Sequence, residues 1–448
     1  MRITLIGGGG SRTPLLYHGL LHRVQHLPQV ELILHDNSPR RLEGVEKVLS
    51  GIDEELQTGI SRATTTDLDR ALDGADFVLT AIRVGGFEAR RLDESIPLSH
   101  GVVGQETVGP GGFALAARNI PALIAVGHRM RELCPKAWMI NLTNPAGMAT
   151  QALAPLLDGR VVGVCDSPLA LAGGVADALG VDISKLHLEY AGLNHLGWLT
   201  GAWLDGRDLL PELMESPELK RIEEARLMGL DEVRALGALP NEYVYFYERT
   251  RAALQNIRNG GVPRGEFLDG QQRSLSARLD AAETPSEALD VYRESLRVRN
   301  DTYMAVESGS ARVPTDDVFA SAGGYHEMAL SVVEAIGLDH PQLLAVNTVN
   351  RGALPFLSDE DVVEVSAVIR GAGVFPLAAR VPEERRGLIE RVKGFEKASL
   401  TALAHRSISI ARDAVARHPL VPSGEVAGTI VDEYVLTMPE VAAQLGEA

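Results

Sequence analysis

The N-terminal stretch constrains the fold more than any other part of the chain. Arg2 to Ile6 is a short aliphatic run, Gly7-Gly8-Gly9-Gly10-Ser11-Arg12-Thr13-Pro14 follows it, and Leu15 to Leu27 carries amphipathic spacing. That order predicts strand, loop and helix. Glycines let a backbone approach a pyrophosphate closely, and the open N–H groups and dipole at a helix start favour negative charge. A second apolar run, Val30 to Leu34, ends in His35-Asp36, and an acid about 25 residues after the glycines stands where a ribose hydroxyl needs an acceptor. Gly7, Gly8, Gly9, Gly10, Ser11, Arg12 and Asp36 are therefore candidate dinucleotide contacts, with Asp36 favouring NAD over NADP. Arg12 takes the position of the third glycine of G-x-G-x-x-G, which predicts a helix set slightly further from the sheet.

The strand–helix alternation continues. Arg40 to Leu56 reads as a helix and Ala75 to Ile82 as a buried strand ending in Arg83-Val84-Gly85-Gly86. Ligands of doubly wound sheets sit beyond the carboxyl ends of strands, so Arg83 is placed for function. Gly101 to Gly112 is either a flexible connection or a ligand loop using Gln105-Glu106-Thr107. After Ala137 to Ile140 comes Asn141-Leu142-Thr143-Asn144-Pro145-Ala146-Gly147, where Asn141 and Asn144 suit nicotinamide or substrate hydroxyls because amides donate and accept without charge. Val161 to Val164 leads into Cys165-Asp166, and Leu188 to Gly192 into Asn194-His195.

This pattern predicts an α/β fold with a Rossmann-type doubly wound sheet. Beyond about Gly206 helical spacing predominates, apart from an extended stretch over Val362 to Val374, and Lys397 to Arg417 reads as one long helix. A chain of 448 residues favours two domains. The change of pattern divides them into 1–165, binding the dinucleotide, and 166–448, mainly helical α+β, binding metal and substrate.

A net charge of −17 argues against general nucleic-acid binding and requires placed arginines for any anionic substrate. Two cysteines, Cys134 and Cys165, make no disulfide framework, and no early apolar run is long enough for a signal peptide or membrane span. A cytoplasmic protein without membrane or nucleic-acid partners is expected. Thiolate and imidazole on neighbouring loops can hold a divalent transition metal with open positions for substrate oxygens; equally, Cys165 is a small buried hydrophobe and His195 an ordinary hydrogen-bonded histidine. Asp166 is a proton donor if burial raises its pKa, or a helix N-cap. Pro240 to Tyr247 concentrates phenols, one of which could act as a base beside a cation. Arg264, after Gly260-Gly261-Val262-Pro263, is a surface arginine or a contact for an anionic substrate group.

Taken together, Ile6-Gly-Gly-Gly-Gly-Ser11, Ile82-Arg-Val-Gly-Gly86, Gly104-Gln-Glu-Thr107, Asn141-Leu-Thr-Asn-Pro-Ala-Gly147, Cys165-Asp-Ser-Pro168 and Gly192-Leu-Asn-His195 closely resemble family 4 glycoside hydrolases. The resemblance implies a fold like lactate and malate dehydrogenases, a need for NAD and a divalent metal, usually manganese, and no paired-carboxylate mechanism. Carried over by motif, Cys165 and His195 would ligate the metal, Asn144 and Asn194 would contact sugar hydroxyls, and Tyr243 of Asn241-Glu242-Tyr243 would remove the C2 proton. The implied cycle is oxidation at C3, elimination of the C1 aglycone, addition of water and reduction. In Cys165-Asp166-Ser167-Pro168, Asp166 leans towards the α-glycosidases, where it would be the leaving-group acid, whereas Arg83-Val-Gly-Gly86 and Gly104-Gln-Glu-Thr107 look nearer the β-type. The resulting expectation is a 6-phospho-β-glucosidase acting on a phosphorylated disaccharide or aryl 6-phosphoglucoside, with Arg90 and Arg264 clamping the phosphate and assembly into a homo-oligomer, dimer or tetramer. The alternatives are a 6-phospho-α-glucosidase and, in another class, an NAD-dependent 2-hydroxy-acid dehydrogenase.

Overall fold

The computed structural model describes residues 1–302, 304, 319 and 324–446. Thirteen strands form one sheet: β1 (Arg2–Ile6), β2 (Glu31–His35), β3 (Ser61–Thr65), β4 (Phe77–Thr80), β5 (Trp138–Asn141), β6 (Val161–Gly163), β7 (His187–Leu193), β8 (Leu196–Leu204), β9 (Arg207–Asp208), β10 (Leu239–Pro240), β11 (Gln342–Val349), β12 (Val362–Arg370) and β13 (Gly373–Pro376). The order β3-β2-β1-β4-β5-β6 is wholly parallel, the doubly wound dinucleotide-binding order, and it reverses direction between β1 and β4. From β6 the sheet continues antiparallel through β11, β12, β7, β8 and β10. Asn347 opposite Gly163 makes that join.

Helices cover both faces, as parallel strands buried on two sides require. α1 (Thr13–Leu21), α2 (Pro39–Leu56) and the helices Pro285–Asp301 and Tyr325–Gly337 cover one face of the parallel half, where Leu20, Leu49, Leu289 and Leu330 meet Leu5 and Leu34. On the other face lie α3 (Leu68–Leu72), α4 (Gly86–Ser99), α5 (Pro110–Leu133), α6 (Ala146–Leu153) and the helices Arg386–His405 and Gly424–Thr437, with Phe113, Met148, Phe395 and Tyr434 in one apolar cluster. A third cluster, around Trp198, Leu199 and Phe246, fills the antiparallel half and includes Leu171 of α7 (Ser167–Leu179). Prolines stand at the first turn of α1, α2, α5 and α7, where a missing N–H costs nothing.

The structure corrects the expected secondary structure in two places. Gln342–Val349 is a strand inside the part expected to be helical; its apolar run is short enough to fit either state, and sheet pairing decides it. The helix expected over Lys397 to Arg417 is two helices, Arg386–His405 and Ile408–Ala416, because Arg406 adopts a left-handed φ of 50°. Ser407 then caps the second by accepting the Ile410 N–H. The extended stretch near Val362 is β12 and β13.

Candidate active site

The carboxyl ends of β1, β4, β5 and β6 open onto one edge of the sheet, and most candidate residues lie there. Gly7, with φ 91°, turns the chain out of β1, and the N–H groups of Gly7 and Gly8 both donate to His35 O at the end of β2. The turn is packed too tightly for side chains: a Cβ on Gly9 would lie 2.6 Å from Arg41 Cβ and 2.9 Å from Asp36 Oδ2. Asp36 Oδ2 accepts the Gly9 N–H at 3.2 Å, while Oδ1 takes Ser38 N–H and Arg41. At the start of α1, the N–H groups of Ser11 and Arg12 donate to no described group. A tight glycine turn with open N–H donors at a helix N-terminus fits a bound pyrophosphate.

Arg12 itself turns away from the glycines. Its guanidinium lies 3.8 Å from the centre of the Tyr325 ring, and against burial the charges of Tyr325, Asp166, Glu106 and Tyr243 keep it protonated. It is the first of a group of half-buried and buried arginines. Arg83 at the end of β4 and Arg90 on α4 both pair with Glu106, and Arg90 also pairs with Glu94 at 2.8 Å. Burial opposes the charge on Glu106, but Arg83 and Arg90 hold its pKa down to about 2. Arg299, near the end of helix Pro285–Asp301, faces the same space. Burial first, then Arg12, Arg264, Arg90 and Arg83, lowers its pKa to about 9, and its side chain makes no hydrogen bond or ion pair with any described residue. A guanidinium held among four others with no acceptor of its own fits an anion. Arg264 contributes charge but is committed elsewhere: it donates to Thr302 Oγ1 at 2.6 Å and to Arg299 O at 2.9 Å, ending that helix.

Gly101 to Gly112 is neither slack nor a simple connection. A Cβ on Gly111 would lie 2.2 Å from Gln105 O, so the segment folds hard onto the start of α5. Gln105 Oε1 accepts from Thr107 N, Thr107 Oγ1 and Val108 N. With the Thr107 hydroxyl donating to Gln105, its oxygen accepts the Nδ1–H of His195 at 2.8 Å. His195 sits in the two-residue turn between β7 and β8 with φ 62°, a left-handed conformation uncommon for any residue but glycine. Its Nε2 is buried and has no partner, and burial lowers the ring's pKa to about 3. A neutral imidazole fixed through Nδ1, with a bare Nε2, is the arrangement a metal ligand requires.

Cys165 follows β6 and is 1% exposed. Its Sγ has only Ser167 Oγ at 3.5 Å and Asp166 Oδ1 at 4.0 Å. Burial, then the charges of Glu364 and Asp166, pushes the thiol well up; a bound cation would reverse that by favouring the thiolate. The donor set suits a soft or borderline divalent metal, although no three His, Cys, Asp or Glu side chains among the described residues form a complete site. Asp166 stands at the N-terminus of α7 but makes no side-chain cap. Burial raises its pKa against the opposing effects of Arg12 and Tyr325, as a proton donor needs. Tyr243 lies flat on His195, ring centres 3.7 Å apart and planes 7° from parallel, and its charge couples to Arg12 and Arg90.

The asparagines divide. Asn141 is fully buried, and its amide is engaged by Thr80 Oγ1, Thr143 N and Thr143 O, which shapes the turn after β5. Asn144 lies on the outer part of that turn, before cis Pro145, with its carbonyl held by Asn119. Asn194, next to His195, donates to Glu364. The sequence analysis did not single out Arg299, Tyr325 or Glu364. Glu364 carries a visible signal, one carboxylate inside the apolar run of β12; Arg299 has none, lying in a polar helix among other arginines.

The strand order, the glycine turn, and the thiol and imidazole at the strand ends define an enzyme of the dinucleotide-binding α/β class. The models for family 4 glycosyl hydrolases and for their C-terminal domain match residues 2–181 and 190–421, and the chain belongs to that family. It is 33% identical over 447 residues to the "probable 6-phospho-beta-glucosidase" of Bacillus subtilis, covering 97% of this chain and 96% of that one. It also matches the 6-phospho-beta glucosidase of Thermotoga maritima, solved with NAD and glucose-6-phosphate, at 25% identity and a TM-score of 0.82 over 98% of each chain. A more distant likeness, 16% identity and a TM-score of 0.51 over 90% of this chain and 95% of the other, links its fold to lactate dehydrogenase from Eimeria maxima.

Proposed function

We propose that the chain hydrolyses 6-phospho-β-glucosides with NAD and a divalent metal, manganese in the first instance. One observation carries the proposal: Tyr243 lies flat on the imidazole whose Nε2 has no partner among the described residues, and Arg299, grouped with Arg12, Arg83, Arg90 and Arg264, has no acceptor among the described residues. When bound, NAD supplies a hydride acceptor and donor for sugar C3, and the metal supplies positive charge for the C3 oxygen. The residues of the chain do the rest. Gly7 to Gly10 and the open N–H groups of Ser11 and Arg12 hold the pyrophosphate, with Asp36 towards the ribose. Cys165 and His195 hold the metal. Arg299, with Arg83 and Arg90, draws in the 6-phosphate, and Arg264 fixes the helix end that carries Arg299. Asn144 and Asn194 orient the sugar hydroxyls. Tyr243 removes the C2 proton, and Asp166 protonates the departing oxygen.

In this scheme residues 1–165 bind the cofactor, and 166–448 bind the metal and the sugar together with Arg83, Arg90, Asn144 and Cys165 at the edge of the first domain, in a cytoplasmic homo-oligomer. No helix among the described residues is long and apolar enough to cross a membrane. Support for the β anomer comes from the Bacillus subtilis relative; the uncapped, protonatable Asp166 favours the α anomer as the second reading. Paired α- and β-nitrophenyl 6-phosphoglucosides, supplied with NAD and manganese, test both. Release from the β substrate is expected. Cleavage of unphosphorylated glucosides alone removes the phosphate assignment, and preference for the α substrate overturns the anomer.

A further inference from the structure

Glu364 has no part in the chemistry above, yet it is fully buried at the seam where the two halves of the sheet meet. On β12 it stands opposite Asn347 of β11 on one side and Gly192 of β7 on the other, and Asn347 itself pairs with Gly163 of β6. The partners of the Glu364 carboxyl group are two amide N–H groups and a phenol, and burial pushes its pKa up to about 8 against their bonds. Oε1 accepts Asn347 Nδ2 at 2.7 Å and Asn194 Nδ2 at 3.2 Å, and Oε2 accepts the Tyr190 hydroxyl at 3.3 Å.

Two arms run from this carboxylate into the site. Along the first, Asn194 commits its amide nitrogen to Glu364, which turns its amide oxygen the other way as an acceptor for a sugar hydroxyl. The second arm is longer. The Tyr190 oxygen accepts Asn241 Nδ2 at 2.9 Å, and Asn241 Oδ1 accepts the backbone N–H groups of Tyr243 and Val244 at 3.2 and 3.3 Å. Tyr190 and Asn241 are as buried as Glu364. With no water to substitute, each bond is made within the chain or lost.

We infer that Glu364 is a positioning residue for both arms of the site: it aims the Asn194 amide oxygen at the sugar and, through Tyr190 and Asn241, fixes the turn that presents Tyr243. The inference rests on the roles proposed above for Asn194 and Tyr243, while the bonds that carry it do not depend on those roles.

Two substitutions test it. Glu364→Gln keeps the volume but leaves one acceptor oxygen for three donors. Tyr190→Phe cuts only the arm to Tyr243. In Glu364→Gln, kcat/KM on the β-6-phosphoglucoside is expected to fall on the order of 10- to 100-fold, as when an orienting partner is removed. The isotope effect of a C2-deuterated substrate should rise, because proton removal becomes slower relative to the other steps. Tyr190→Phe should lower kcat with KM little changed, and the double variant should lose less than the product of the two. Independently of activity, amide exchange at Tyr243 and Val244 should quicken in both variants while β11 stays protected. Unchanged exchange and unchanged kcat/KM in Glu364→Gln overturn the inference. If that variant does not fold, Tyr190→Phe with unaltered Tyr243 exchange and kcat overturns it instead. A wild-type chain inactive on both anomers, with exchange quickened in the variants, sinks the proposed substrate and leaves the positioning role standing.

Discussion

The parallel and antiparallel halves of the sheet build their shares of the site by different means. In the parallel half each strand ends in a turn at the same edge, so β1 delivers Gly7 to Arg12, β4 delivers Arg83, β5 delivers Asn141 to Asn144 and β6 delivers Cys165. Each contribution is a run of neighbouring residues, because a strand–helix unit exposes only its connecting turn. The antiparallel half contributes by register instead. His195 comes from a hairpin turn, Tyr243 from the turn after β10, and Glu364 from mid-strand, held to residues such as Tyr190 and Asn241 that are far away in sequence. The first half is a scaffold of local units; the second is a lattice of long-range bonds.

If the two halves divide binding and chemistry, damage to one should spare the other. Tyr243→Phe gives the largest effect. Loss of a general base costs typically about 10²- to 10⁴-fold, so exchange of the C2 proton with solvent should fall by that order. NAD affinity, measured by titration, should stay at the wild-type value, since Tyr243 stacks on His195 and not on the glycine turn. Persistent C2 exchange places the base elsewhere; weakened NAD binding breaks the division itself.

What could be foreseen from the sequence follows the same line. The glycine turn, Asp36, the strand ending at Arg83 and the Cys165 turn were all foreseen as pieces of local chemistry, and the doubly wound order followed from their alternation. Even there the pairing partners were hidden. Nothing in Gly101 to Gly112 announces that Thr107 will fix the tautomer of His195, and nothing in Asn141 shows that its amide will be occupied by Thr80 and Thr143. In the antiparallel half, β11 lies where the spacing predicts mainly helix, because a short apolar run is ambiguous until its neighbours in the sheet are known. Arg299 is the extreme case. Its significance lies in four other guanidiniums from distant segments, which no spacing encodes.

A second substitution tests the division from the parallel side. Gly9→Val places a side chain where even the first carbon would meet Arg41 Cβ at 2.6 Å and Asp36 Oδ2 at 2.9 Å. Overpacking of this kind costs typically about 1–3 kcal/mol. If relief comes by moving the turn, NAD affinity should fall by about 5- to 100-fold. Binding of glucose-6-phosphate to the NAD-free chain, followed by calorimetry, should be nearly unaffected, because the arginines that face it come from β4, α4 and helix Pro285–Asp301. Equal losses for both ligands would mean that the glycine turn and the arginines form one unit.

The smallest effect concerns acid. His418 is 2% exposed, its Nδ1 accepts the Leu420 N–H at 3.2 Å, and Tyr247 OH lies 3.4 Å from Nε2. Burial, then the charge of Arg391, lowers its pKa from 6.5 to about 3. A base depressed in the folded state gives stability that is complete above pH 6.5 and is lost as pH falls towards 3, since the unfolded chain takes up the proton first. Between pH 6.5 and 5.5 the loss is about 1 kcal/mol for one such group. His195, in the antiparallel half, has the same sign and window. Glu106, beside the parallel strands, has the opposite starting point: its depressed pKa keeps its contribution intact above about pH 4.5 and loses it only towards 2. Mild acid should therefore loosen the surroundings of His418, which packs on Phe395, and of His195 in the antiparallel half, while the arginine cluster holds. Denaturant unfolding of the metal-free chain at pH 6.5 and 5.5 measures the slope, and amide exchange at the two pH values locates it. His418→Asn, which keeps an acceptor for Leu420 N–H, should reduce that loss by about 1 kcal/mol over the interval whatever its cost at neutral pH. An unchanged slope would show that the buried ring finds a partner for its proton, and that the difference in acid sensitivity between the halves arises from other groups.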